Sequence, residues 1–512
     1  MHNWRYLVCF CACALSLGGL SGCWFGKLDR PPEAQLSPTQ NPLVAQYTLR
    51  GVRTGVTAWV EFGPDTNYGR ETWKVTTSTT DHLGEIVNIL VAGMKAQTTY
   101  HMRAHLESAS TSWVDQDRTF TTGALAEPAG YLAGLPFQLP SFSVAKPPSS
   151  VTPAPGVELL SLTGPPNISS LECLVLDLQG NIIWFYPPTA FPIKLMDNGH
   201  FILQMNTDLR EVDLAGDIVR DVSVAQVNQS LQASGYSFVV TTFSHDILTL
   251  PNGHWITIGQ ISKSFDNLPG YPGTTDVLGD ALIDIDPNGN VVWGWSAFDY
   301  LDVNRHLQGL PDWTHSNGLV YTPDGNLLLS MRHQSWILKI DYANGTGTGN
   351  ILWKLGEDGD FGLAGGDPTQ WFYAQHDPVL ENTNGSLMTL AVYDDGNYRI
   401  DSAGVACGTS PTAPACYSRA AIFQIDEDTH NASLLWQYLP GFYSYWGGSI
   451  GTLSNGNIEF DSTDPFNIPL SEIMEVTNTD TPQMVWQMNI NGQYAYRGSR
   501  IPSLYPGVTW QQ

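Results

Sequence analysis

Positive charge is scarce in this chain. Against 49 Asp and Glu stand 23 Lys and Arg, a formal net charge of −26, and residues of either sign make up only 14% of the 512. Neutralising phosphates takes Lys and Arg, so nucleic acid and anionic membrane surfaces are excluded as general partners. Long apolar runs are missing after the first twenty or so residues, which excludes a membrane-spanning helix there. Paired carboxylates with catalytic spacing do not stand out either. Against these absences, Gly (49), Pro (33) and Trp (17) are plentiful and 42% of residues are apolar. Few charges, many turn formers and many aromatics favour a compact all-β protein, and the length allows more than one domain and a large core.

The N-terminus is an export signal. Arg5 supplies its positive end, Tyr6–Leu20 its apolar stretch, and Leu20-Ser21-Gly22-Cys23 resembles a bacterial lipobox. Residues 1–23 are therefore expected to direct export to the periplasm, with Cys23 as the lipid anchor and the only tie to a membrane. The alternative is an ordinary signal peptide cut nearby. Cys9, Cys11 and Cys13 leave with the signal. Cys407 and Cys416 lie nine apart in a Gly/Pro/Ser stretch, which predicts a loop-closing disulfide in an oxidising compartment. Cys173, within LECLVLDL, is expected to be buried as an apolar residue.

Residues 29–125 read as a small β-sandwich of short β-branched and aromatic runs, similar to fibronectin type III domains around GMKAQTTYHMRA. It is expected to serve as a spacer or as a homodimer contact. Residues 126–156 carry seven prolines and read as an extended linker. From 157 to 512 a two-part phrase recurs. One part is an Asp-containing turn before a strand ending in Trp, at Trp184, Trp293, Trp353, Trp436 and Trp486, with Val219 in a sixth copy. The other is an Asn-Gly or Asp-Gly hairpin turn: MDNGHFILQM, LPNGHWITIG, TPDGNLLLSM, NTNGSLMTLA and LSNGNIEF. A repeat of four short strands predicts a six-bladed β-propeller, although a sixth Asn-Gly phrase is not visible.

Aligned on the hairpin glycines, three histidines coincide. His245 precedes Gly253 by eight residues, His315 precedes Gly325 by ten, and His376 precedes Gly385 by nine. A fourth copy has Gly447-Gly448 there. A lone histidine at such a place more often caps a strand inside its own blade. Three at equivalent repeat positions should converge on the central channel. Arg332 follows Gly325 by seven residues, within reach of the same centre. Aromatics precede each histidine (Phe243, Trp313, Phe372 with Tyr373, and Tyr443, Tyr445 and Trp446 in the glycine copy), which predicts an aromatic collar at the channel mouth. Three histidines, Arg332 and Asn317 are donors suited to a sulfate- or phosphate-like oxyanion, and the collar suits an aryl group. A metal is the rival use of three histidines, opposed by the charge of Arg332. Asp246 and Asp377 follow two of the histidines, and strand alternation would turn them away. Asp394-Asp395-Gly396-Asn397 reads as a turn, and no role for Asp377 or His333 is evident.

The order His315-Ser316-Asn317, then Ser330–Gln334 (SMRHQ), then Gln375-His376, together with RGSRIPSLYPG near the C-terminus, resembles the bacterial arylsulfate sulfotransferases. The resemblance implies a nucleotide-independent enzyme with no cofactor, taking a phenolic sulfate as donor and a phenol as acceptor. It implies His376 as the nucleophile that becomes sulfohistidine in a ping-pong cycle. Arg332 and His315 would bind the sulfuryl oxygens with Asn317 in support, and His245 would protonate the leaving phenolate. Trp313, Tyr373 and Phe243 would contact the aryl group. The second reading is a non-catalytic exported propeller binding an anionic aryl or glycan ligand or a protein. A quinone-cofactor dehydrogenase is a weaker third, since no calcium-binding acidic set is visible.

Overall fold

Five hairpin turns and five tryptophans set the frame. The computed structural model describes residues 31–511, apart from 78–84, 110–111, 126–134, 148–149, 165–167, 188–189, 191, 401–404, 408–415 and 464–469. The signal segment and Cys23 lie outside the described residues. The protein is all-β, and among the described residues no helix is long and apolar enough to cross a membrane.

Residues 33–121 form two antiparallel sheets. One holds Glu33–Pro38, Ala45–Val52 and Glu85–Val91. The other is built around Thr57–Gly63 and Thr99–Glu107. Thr99–Glu107 alternates buried and more exposed positions, as a strand with one face on a core should. Tyr100 Oη accepts the Lys95 N–H at 3.0 Å and fixes the entry to that strand. These sheets share a core with the rest of the chain: Trp510 packs edge-on against Phe62, and Tyr505 Oη donates to the Leu90 carbonyl at 2.8 Å.

Six further sheets of four or five strands follow. Five begin with the hairpins that the Asn-Gly and Asp-Gly phrases predict. Gly199, Gly253, Gly325, Gly385 and Gly456 all take left-handed φ, from +63° to +84°, which a side chain would resist. Each glycine joins the first strand of a sheet to its second: for example Thr242–Thr249 to Trp255–Leu268, and His376–Asn384 to Leu387–Asp394. The first of the six sheets differs. Its strand order is Ile182–Tyr186, Cys173–Leu176, Val157–Thr163 and then Tyr494–Ile501, so its edge strand comes from the far end of the chain. Among the described residues no hairpin joins that strand to its neighbour in the sheet, so the first sheet has no hairpin phrase of its own. Ser141–Ala145, from the proline-rich stretch, adds to the outer edge of the sixth sheet through Met484–Asn491.

The tryptophans join each sheet to the next. Indole N–H groups of Trp184, Trp293, Trp353 and Trp436 donate to Leu214 O, Gly347 O, Glu427 Oε1 and Thr479 O respectively. Each acceptor lies in the turn before the last strand of the following sheet. Trp486 of the sixth sheet donates to Leu178 O of the first, so the series closes. Where the second sheet has Val219, the adjacent Arg220 takes over. It donates to the Gly253 and Asp286 carbonyls of the third sheet and lies 3.6 Å over Trp255. The repeated phrase is therefore a donor on one sheet matched to a turn on the next. Cys407 and Cys416 are disulfide-bonded, and Cys173 is buried.

Candidate active site

First strands of successive sheets lie side by side: Thr242–Thr249 against Ser316–Tyr321, that against His376–Asn384, then Ser449–Thr452, then Tyr494–Ile501. Strand alternation fails at their starts. The pairing register slips between Ser244 and Ile247, between Ser316 and Gly318, and between His376 and Val379. His245 (φ +60°), His315 (φ +46°) and Asp377 (φ +45°) are left-handed there. Such bulges re-aim side chains, at a strain of about 1–3 kcal/mol each. In the fourth copy Gly447 (φ +72°) and Gly448 (φ +113°) meet the same demand without a side chain.

The bulges bring the three histidines together. The rings of His245 and His315 have centroids 4.6 Å apart. His376 and His245 each lie about 6 Å from Tyr496, at 6.0 and 5.8 Å, so Tyr496 sits between them. His376 is almost fully buried, and its Nδ1 is 2.9 Å from Asp395 Oδ2. The approach is off the line of a hydrogen bond, because neither atom has an in-line partner among the described residues. Burial, then the positive fields of Arg332, His315, His245 and Arg497, push the His376 imidazolium well below its usual range, so the ring is neutral. His245 is lowered in the same way, first by desolvation and then by His315. Asp395 is raised well above the usual carboxylate range, first by burial, with Asp394 and Asp461 adding to it and Arg332 opposing.

Arg332 follows the strand Leu327–Met331 as the first residue of a 3-10 turn. Its Nη2 donates to Asn397 Oδ1 at 3.0 Å and to the Tyr445 carbonyl at 3.1 Å, and its Nη1 to His333 Nε2 at 2.8 Å. Its Nε is 3.9 Å from Asp395 Oδ2. Arginine can only donate, so His333 Nε2 must accept and the imidazole proton sits on Nδ1, 2.7 Å from the Asp312 carbonyl. The His333 ring stacks on His315 at 4.5 Å. Asp312 Oδ2 in turn holds His315 Nδ1 at 2.5 Å. Asp312, His315 and His333 are also the one set among the described residues spaced to hold a metal. With both nitrogens of His333 engaged, that ring has no lone pair to give a cation.

Beneath this layer lies an ionic floor. Arg497 Nη1 is 3.1 Å from Asp246 Oδ1, Nε is 3.2 Å from Asp377 Oδ1, and Nη2 donates to the Asn317 carbonyl at 2.8 Å. Asp246 also holds Lys194 Nζ at 2.5 Å. A cavity of about 320 Å³, lined by Lys194, Asp377, Arg497, Ser161 and Ser449 among others, opens behind this floor.

Several expectations need correction. Asp246 and Asp377 contact Arg497 in the floor, a partner that the sequence does not show. Asn317 is fully buried and donates to the Gln375 carbonyl at 2.8 Å, tying two adjacent first strands rather than facing the mouth. The collar is not built from the aromatics before each histidine. Phe243 is core, packed with Leu231, Val240 and Ile247. Trp313 is 1% exposed and stacked on Phe298, and Phe372 is core with Phe423. Tyr373 donates to Glu357 Oε2 at 2.5 Å, away from the centre. Of the four sets, the glycine copy supplies aromatics here: Tyr443 bonds to Asn397, and the Tyr445 carbonyl accepts from Arg332 while its residue stays 44% exposed. Four functional residues carry no repeat signal. Asp312 is three residues from His315. Asp395 and Asn397 belong to the segment read as a turn, and Arg497 lies in RGSRIPSLYPG, where the family resemblance was the only pointer.

A model of the arylsulfotransferase (ASST) family matches residues 158–497, about two thirds of the chain. No curated protein is similar to it. Distant likenesses to solved structures exist. A streptogramin B lyase is 13% identical, over 68% of this chain and 98% of that one, with a TM-score of 0.31. A catalytically inactive virginiamycin B lyase from Staphylococcus aureus is 11% identical over 65% and 99%, with a TM-score of 0.28. A Synechocystis apocarotenoid oxygenase is 9% identical over 92% and 96%, with a TM-score of 0.26. Likenesses this remote carry no weight for fold or chemistry.

Proposed function

The chain belongs to the arylsulfotransferase (ASST) family, and from that premise we propose that it moves a sulfuryl group from a phenolic sulfate to a phenol through His376. We read the six joined sheets as six blades of a propeller, residues 157–512, behind a fibronectin type III-like domain at 29–125 and a linker at 126–156. The observation that carries the chemistry is His376: a buried, neutral imidazole facing the same centre as Arg332, His315 and His245. A neutral imidazole is a nucleophile without an added base.

In the first half-reaction the lone pair of His376 Nε2 forms the N–S bond while the S–O bond to the aryl group breaks. The bonding electrons leave on the phenolate oxygen, which takes a proton from His315, the histidine of the pair His245–His315 whose cation the Asp312 carboxylate, 2.5 Å from Nδ1, would balance. In the second half-reaction the acceptor phenol gives its proton back to that histidine, its oxygen attacks sulfur, and the N–S electrons return to Nε2. Sulfuryl transfer, like phosphoryl transfer, should run through a loose transition state with charge on the peripheral oxygens. Arg332, fixed by His333, Asn397 and Tyr445, presents its remaining Nη1–H to those oxygens. The enzyme is proposed to work in the periplasm, held to a membrane by the lipid on Cys23.

The test is p-nitrophenyl sulfate with a panel of phenols. Nitrophenolate release that depends on the acceptor, with parallel-line kinetics, is the expected result. His376→Ala should lower it by at least about 10³-fold. Full activity in His376→Ala would refute the nucleophile. No transfer by the wild type to any phenol would instead favour a binding propeller.

A further inference from the structure

We propose that Asp395 is the positioning residue of His376: it holds the imidazole with its proton on Nδ1, leaves Nε2 as the attacking atom, and balances the cation formed when sulfur binds there. This inference rests on the proposed sulfuryl transfer through His376. It starts from three polar atoms. His376 Nδ1, Arg332 Nε and Asp395 Oδ2 are all buried, and none has an in-line hydrogen bond among the described residues. They face one another, at 2.9 Å between Nδ1 and Oδ2 and 3.9 Å between Nε and Oδ2. A fold seldom leaves several buried polar groups short of partners in one place, and where it does, catalysis is a common reason. Asp395 is 0% exposed.

The backbone fixes this arrangement from two sides. Asp395 directly follows the strand Leu387–Asp394, the neighbour of the strand that His376 opens. Its own carbonyl accepts from Ser418 Oγ at 2.7 Å, and Ser418 Oγ accepts the Ser444 N–H at 2.8 Å. Two residues on, Asn397 holds Arg332. One short segment therefore anchors both the nucleophile and the oxyanion donor.

The charge balance follows from the half-reaction. Before attack, His376 is neutral with its proton on Nδ1, 2.9 Å from Asp395 Oδ2. When the Nε2 electrons form the N–S bond, Nδ1 keeps that proton and the ring becomes cationic, 2.9 Å from the carboxylate. Burial makes a bare carboxylate costly in the resting site, as the raised pKa of Asp395 indicates. The ring cation relieves that cost only as sulfur transfers. The contact is thus stronger in the transition state than in the ground state, which is the condition for raising kcat. Asn at 395 would keep the shape, lose the charge and present an N–H toward Nδ1, favouring the tautomer whose proton sits on Nε2.

The experiment compares the full mature chain with D395N and H376A. Expected for D395N is a fall in kcat of about 10²–10⁴-fold with KM changed little, as when the carboxylate behind a catalytic histidine is neutralised. Independently of turnover, one-dimensional proton NMR of the wild type at pH 7 should show a low-field imidazole N–H resonance that is absent from H376A and lost or shifted in D395N. A D395N kcat within about twofold of wild type overturns the inference, and so does a wild type without a His376-dependent resonance. If D395N does not fold, the comparison of wild type with H376A still decides. If wild type transfers no sulfuryl group, the functional reading fails, while the resonance still tests the contact.

Discussion

Arg332 is the residue with the least freedom in the site. Three of its N–H bonds are already directed at His333, Asn397 and the Tyr445 carbonyl, so the guanidinium is fixed in plane before any substrate arrives. Lysine has three donors and no plane. Arg332→Lys should therefore lower kcat/KM for p-nitrophenyl sulfate by about 10²-fold, most of it in kcat, as steady-state kinetics would report. At this scale the sequence was half legible. His245, His315 and His376 could be grouped because they recur against the hairpin glycines, and Arg332 by its distance from one of those glycines. Asp395 could not, because Asp-Asp-Gly-Asn is also an ordinary turn composition, and only its neighbour in the folded sheet gives it a role. The partner of Asp246 and Asp377, Arg497, could not be read either, because it comes from the far end of the chain.

Among the elements, the first strands and the tryptophan joints divide the work. The strands deliver side chains to the axis, and the joints hold the sheets at fixed spacing. Both were written in the repeat, which is why the architecture was more readable than the site. The aromatics before each histidine were assigned to the mouth because they precede functional residues. In fact the chain enters each first strand through the apolar layer between sheets, and Phe243, Trp313 and Phe372 fill that layer. The glycine copy shows what a first strand costs when it carries no histidine. A Cβ on Gly448 would lie 2.3 Å from Tyr393 Cδ1, at a φ of +113°. Gly448→Ala is expected to destabilise the protein by roughly 2–4 kcal/mol, read as a lower midpoint in urea, because the overlap and the backbone strain add.

For the whole molecule, the place where the sixth sheet meets the first is unusually acidic and dry. Arg500 contacts Glu158, Glu459 and Glu475, all almost fully buried. Nearby, Asp461 takes hydrogen bonds from Ser449 and from the Gly498 N–H, yet burial pushes its pKa up to about 8. Glu459 is raised as well, first by burial and then by Glu158. Between the ordinary carboxylate range and about 8, the folded state keeps a proton on Asp461 that the unfolded chain has released. The Asp461 contribution to stability falls as pH rises through that window and levels off above it. Acids lowered by partners, such as Asp312 and Asp324, change the balance only below about pH 4, and the histidines buried as neutral rings oppose this slope only below about pH 7. Thermal unfolding should show Tm lower at pH 8.5 than at pH 7, by on the order of 2 °C, with a flatter profile in Asp461→Asn. The same junction has a meaning in time. Synthesis runs from the N-terminus, and Tyr494–Ile501 is the last strand described. It brings Arg497 to the floor beneath the histidines and Tyr496 between two of them. Every earlier part of the centre can be made and still lack its base, so a chain stopped short of residue 494 is inert, and the competence to move sulfuryl groups begins only when the newest segment has found the oldest sheet of the ring.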